Sequence, residues 1–143
     1  MAGDVRRALP YDGPHSADTV LEAASRLDAL VRYLNNATGA WNGKQTLRQA
    51  SVVHNVLGGV EGAVFGLDQL LTQLAVALDR LAADPSLYDD RSDRPAAETA
   101  HDAADRVRDA RDRAAAIAAG IGHARGLTMH LGHDNADAGD EER

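Results

Sequence analysis

Histidines carry most of the chemistry open to this chain, which has six of them. His54 stands one helical turn before Gly58 in the run VVHNVLGG. With no side chain at i+4, its imidazole is unusually accessible for proton or group transfer. His123, His130, His133, Asp134 and Asp137 gather near the C-terminus, and His130 and His133 are spaced to share one helical face. Zinc needs three or four ligands in a fixed geometry. Gly126, Gly132 and Gly139 work against such a cage, so this cluster reads as a polar tail and no metal is assigned. Glu61 and Asp68 follow His54 at seven-residue steps. Each step rises about 10 Å along a helix, too far for a catalytic pair. The basic stretch from Arg106 to Arg113 is offset by Asp105, Asp109 and Asp112, and reads as a salt-bridged solvent face. There is no cysteine, so thiolate sites, disulfides and cysteine nucleophiles are excluded. No nucleophile elbow, P-loop or dinucleotide-binding glycine motif is present. The expectation is a non-enzymatic protein with no catalytic residue and no cofactor.

The elements that would position these residues are helices. Ser16 is an N-cap with Asp18 in the first turn, and Val20, Ala24, Leu27, Val31 and Leu34 follow at helical spacing. Asn35, Asn36 and Gly39 end that helix. In the turn ATGAWNG, Trp41 is expected to plug the end of a bundle and Gly43 to relieve the turn. A second helix should begin near Lys44 or Gln45. Its stripe runs Ala50, Val53, Leu57, Val60, Val64, Leu67, Leu71, Leu74, Leu78, Leu81, with 3-4 spacing as in coiled coils. The Gly58-Gly59 pair is where it can kink or split in two. Asp84-Pro85 stops it. Pro95 opens a third helix with the stripe Ala100, Ala103, Val107, Ala110, Ala114, Ile117, Ile121. The spacing predicts an all-α, antiparallel, up-down-up three-helix bundle, or four helices if the long one splits. Residues 1–15 read as an irregular lead-in, 16–126 as one helical-bundle domain, and 127–143 as an acidic tail.

Four glycines, Gly58, Gly59, Gly62 and Gly66, lie inside the long helix. Each costs about 1 kcal/mol relative to alanine there. On a continuous helix, Gly58, Gly62 and Gly66 fall opposite the apolar stripe, together with Ser51, Asn55, Gln69 and Gln73. His54 and Phe65 flank that face. It is small and uncharged, and suits a second helix at short range, as in small-xxx-small packing. The expected function is therefore association: an adaptor, assembly subunit or small regulator that self-associates or docks a partner helix.

Composition agrees with this. Hydrophobic residues make up 44% of the 143 residues, aromatics only 3%. Such a chain builds helices packed at short range. A net charge of −7 argues against nucleic acid and anionic membrane as partners. The N-terminal MAGDVRRALPYDGP has no apolar run of the signal-peptide kind. His54, Asn55, Glu61 and Asp68 interrupt the best stretch for a membrane span. A cytoplasmic location is expected, and the use of arginine in place of lysine, with Lys44 alone, suggests a high-GC bacterial source.

Two local patterns resemble known families. His54 followed four residues later by Gly58 resembles histidine-phosphotransfer domains, which are acidic helical bundles. That resemblance implies a signalling module with His54 as phospho-acceptor; Leu57 stands where that family usually has lysine. Trp41-Asn42-Gly43, between two helices, is similar to the W-x-G turn of the small secreted WXG helical-hairpin proteins. It implies a secreted, dimerising helical partner protein. The export signal Tyr-x-x-x-Asp/Glu of that family is lacking, since Tyr88 is followed at +4 by Ser92 and Tyr33 by Ala37.

Overall fold

A computed structural model describes residues 11–91 and 93–133. The protein is all-α, with four helices and no strand among the described residues. They are α1 (Ala17–Thr38), α2 (Gly43–Thr46), α3 (Ala50–Ala82) and α4 (Ala96–Thr128). The chain divides into two compact units, Met1–Arg48 and Gln49–Arg143.

In the first unit, Ser16 begins α1 as the spacing predicts. Its backbone is extended, its Oγ accepts from the Thr19 N–H, and its own N–H donates to Thr19 Oγ1. This capping box satisfies donors that a helix start leaves unpaired, worth about 1 kcal/mol. Glu22–Arg26 and Asp28–Arg32 form acid-first i,i+4 ion pairs on the exposed surface. No residue of α1 is buried. After Gly39 the chain folds back in a knot of side-chain bonds. Asn42 Nδ2 donates to Asn36 O at 3.0 Å, and Thr46 Oγ1 donates to Ala37 O at 2.7 Å. A long helix beginning at Lys44 or Gln45 is not formed. Those residues belong to the single turn α2, and extended Gln49 separates it from α3. Trp41 does not plug anything: it is 91% exposed.

The second unit is an antiparallel hairpin of α3 and α4. His54 meets Thr128, Glu61 meets Arg125, and Asp79 meets His101. α3 is continuous for 33 residues and passes through Gly58-Gly59 without a break. The fourth helix is therefore α2 and not a product of splitting at the glycines. α4 runs through Gly120, Gly122 and Gly126 to Thr128, two residues into the stretch read as tail.

The seam between these helices is made of alanine. Ala75, Ala100, Ala104, Ala114 and Ala118 are the buried apolar residues, and no larger side chain is fully buried among the described residues. Two of them depart from the expected α4 stripe. Ala104 and Ala118 take the places expected of Ala103 and Ile117, and Ile117 is left 55% exposed. Alanine on both sides lets two backbones approach closely, whereas the branched Ile117 side chain would hold them apart. On α3 the seam follows His54, Glu61 and Ala75, one position round from the stripe. The row Val53, Val60, Leu67, Leu74, Leu81 therefore lies beside the seam, with Leu74 46% and Leu81 47% exposed. The two apolar stripes read from the sequence share one side of the hairpin. At one end of that side, Leu78 and Leu81 come together with Ala96, Ala100 and Ala103. The opposite side carries the ion pairs.

Candidate interaction surfaces

On α3, Ser51, Asn55, Gly62, Gly66, Gln69 and Gln73 are all exposed. Nothing lies within 4 Å of where a Cβ at Gly59, Gly62 or Gly66 would sit. Gly58 departs from this group. It lies half-buried beneath Arg125, whose Nε is 3.1 Å from the position of a Cβ. Arg125 crosses Gly58 to donate from Nη1 to Glu61 Oε2 at 2.8 Å. Gly122 completes the arrangement, since a Cβ there would stand 2.5 Å from Glu61 Oε1. These two glycines make room for an ion pair across the seam. Phe65, 75% exposed, stands over a cleft lined by Glu61, Gly62, Ala115, Ala118 and Arg125.

His54 is half-buried and its Nδ1 lies 3.0 Å from Thr128 Oγ1. The Thr128 hydroxyl donates to Arg125 O at 2.8 Å. That uses its one proton, so the network assigns the hydrogen between the two side chains to His54 Nδ1. His54 thus serves as a link between α3 and the last turn of α4.

The C-terminal histidines do not converge. His123 and His130 are exposed. His133 Nε2 accepts from the Ala50 N–H at 3.1 Å. It satisfies one donor at the start of α3, a role invisible in the sequence because 83 positions separate the two residues. Asp134 and Asp137 lie outside the described residues. Among the described residues, no three His, Cys, Asp or Glu side chains are grouped to hold a metal.

The stretch from Arg106 to Arg113 is only partly salt-bridged: among the described residues Arg106 and Arg113 make no ion pair, and Asp102 pairs instead with Arg94 at 2.8 Å. Arg108 Nη1 donates to Asp105 at 2.8 Å, and Arg111 pairs with Asp112 at 2.7 Å. Arg108 also reaches across to Asp79 of α3, which His101 approaches at 3.2 Å. Partial loss of solvent pushes the Asp79 carboxyl up, but hydrogen bonds and charge from His101 and Arg108 outweigh this and hold it below its ordinary value.

A second carboxylate, not singled out by the sequence, organises the linker before α4. The Asp89 side chain is only 7% exposed. It accepts from Arg91 Nε and Nη2, from the Arg91 N–H, and from Thr99 Oγ1 at 2.7 Å. Hydrogen bonds from Arg91 and Thr99 hold its carboxyl well below the usual carboxylate range. A depressed folded-state pKa stabilises the fold fully above the unfolded value of about 4, and that contribution is lost as pH falls through the folded value. Asp89→Asn is therefore expected to be less stable than wild type at pH 7 and to show a flatter loss of stability below about pH 4. Urea unfolding at neutral and acid pH checks this; parallel profiles for the two proteins refute it.

α3 also corrects one expectation. By length and composition it is a helix capable of crossing a membrane. Between Glu61 and Asp79 it carries a single charge, Asp68, so the interruptions cluster towards its N-terminal half. No family model, curated protein or solved structure matches the chain.

Proposed function

We propose that this protein is a non-enzymatic helical interaction protein, an adaptor, assembly subunit or small regulator, which self-associates or docks a partner helix through α3. One observation carries this reading. α3 is lined with leucine and valine, yet nothing larger than alanine is fully buried among the described residues. A seam of five alanines removes little apolar surface from water, and at roughly 25 cal/mol per Å² a helix pair gains its stability from larger side chains. The long apolar rows of α3 are used when another helix covers them. The open strip at Gly62 and Gly66 beside exposed Phe65 gives α3 a second side on which a backbone can approach closely.

Sedimentation equilibrium across micromolar concentrations tests the reading. A mass above the chain's 15.1 kDa is expected, with a melting temperature that rises with concentration. A stable, concentration-independent monomer defeats it.

A further inference from the structure

We infer that the covered face is the apolar side of the α3–α4 hairpin and that its occupant is a second copy of this chain, the two hairpins forming a four-helix bundle about a two-fold axis along the helices. The inference rests on the association reading above and adds the surface and the partner.

The two sides of the hairpin differ in chemistry. One carries Arg125–Glu61, Arg108–Asp79 and the cleft under Phe65. The other holds no charge on α3 over its central length and none on the α4 rows nearest the seam; Arg106 and Arg113 stand on the next α4 row outward, at its rim. On α3 it consists of the row Val53, Val60, Leu67, Leu74, Leu81 and, nearer the seam, Leu57, Val64, Leu71 and Leu78. The next row outward, Val56, Ala63, Leu70 and Ala77, is uncharged as well, with Leu70 43% exposed. On α4 the same side presents Ala103, Ala110 and Ile117.

Size matches a dimer. From Ala50 to Leu81 the face is about 47 Å long at the helical rise. Two helices packed side by side are roughly 19 Å wide. The footprint is on the order of 900 Å² per copy, so pairing buries about 1,800 Å² in total, within the range of stable interfaces.

Shape points to a second copy over an unrelated chain. One half of the face is large, from the leucines and valines of α3, and the other half is mostly small, from the alanines of α4. A two-fold axis along the bundle lays each α3 over the partner's α4, so large rows meet small rows, and neighbouring helices run antiparallel. The seam between α3 and α4 within one copy stays as it is.

The full-length chain is tested by sedimentation equilibrium with variants on both sides of the hairpin. Wild type is expected at twice 15.1 kDa. Leu74→Asp and Ile117→Arg, both on the apolar side, are expected to halve that mass. Gly62→Leu, on the other side, is expected to leave it unchanged. Because a charged variant can lose its fold with its partner, a conservative one accompanies them. Leu74→Ala keeps helix propensity and the alanine seam and removes only apolar surface from the proposed face; it is expected to weaken the dimer at least tenfold. A dimer that Gly62→Leu disrupts, or that Leu74→Ala leaves as tight as wild type, overturns the choice of face and leaves the association reading standing. A monomer that floats with phosphatidylcholine vesicles overturns the second copy and puts lipid on the face. A monomer that binds nothing defeats both readings.

Discussion

Ala104→Leu is expected to lower the stability of the hairpin by about 2–3 kcal/mol, a fall on the order of 10 °C in melting temperature. Ala104 is fully buried, and the register set by Asp79 with His101 brings it opposite Ala75, which is 1% exposed. Two alanines facing each other define the closest approach of the helices. A leucine adds three carbons where no space exists, so α3 and α4 must separate, and the alanines at Ala100 and Ala114 lose contact as well. Helix propensity does not oppose the change, because leucine is nearly as good a helix former as alanine. Ala116→Leu is the control, since Ala116 is exposed on the same helix and the same atoms added there meet solvent. Thermal unfolding at matched concentration decides: equal melting temperatures for the two variants would mean that the alanine seam does not set the helix spacing.

The second large effect lies in the first unit. Gly43→Val is expected to open the turn between α1 and α2, costing about 2 kcal/mol locally. A Cβ at Gly43 would lie 2.6 Å from the Thr38 carbonyl oxygen, and the obstacle is backbone, which does not move aside as a side-chain end does. The Gly43 N–H donates to Gly39 O at 2.7 Å, and the bonds of Asn42 to Asn36 and Thr46 to Ala37 depend on the same chain reversal. α1 has no buried residue to compensate, and a helix without tertiary packing is marginal in water. Amide exchange at Thr46 and Leu47, whose N–H groups bond to Asn42 and Gly43, is expected to speed at least tenfold, with the hairpin amides unchanged. Unchanged protection at those two amides contradicts the steric account of this glycine.

Both effects depend on small residues, and small residues were the least legible part of the sequence. The glycines of α3 stand out as a group, yet the structure gives them different work. Gly58 makes room for Arg125, whereas Gly62 and Gly66 have open space beside them. Gly122 frames the Glu61–Arg125 pair from the other helix, a role with no local signal because Glu61 is 61 positions away in sequence. Asp89 was equally hidden. It sits in a polar linker of several aspartates, and only the position of Thr99 and Arg91 around it distinguishes it. His54, by contrast, was visible as the ionisable residue beside the glycines, but its place in the seam against Thr128, 74 positions away in a stretch read as tail, had no local signal.

The sequence by itself determined that this chain is helical and where most helices begin and end. Those features are local: 3-4 apolar spacing, Ser16 as cap, Gly39 after α1 and Pro95 before α4 act within a turn or two of backbone. It also determined that α3 and α4 each carry an apolar stripe. Only the tertiary structure decided how those stripes are used. Two helices can meet along any row that lets them come close, and α4 offers alanine on adjacent rows. Closest approach selected Ala104 and Ala118 over Ala103 and Ile117. That turn of about one residue moved Leu74 and Leu81 of α3 from a seam into an open face, because packing distance is a property of two helices together and neither sequence stripe contains it.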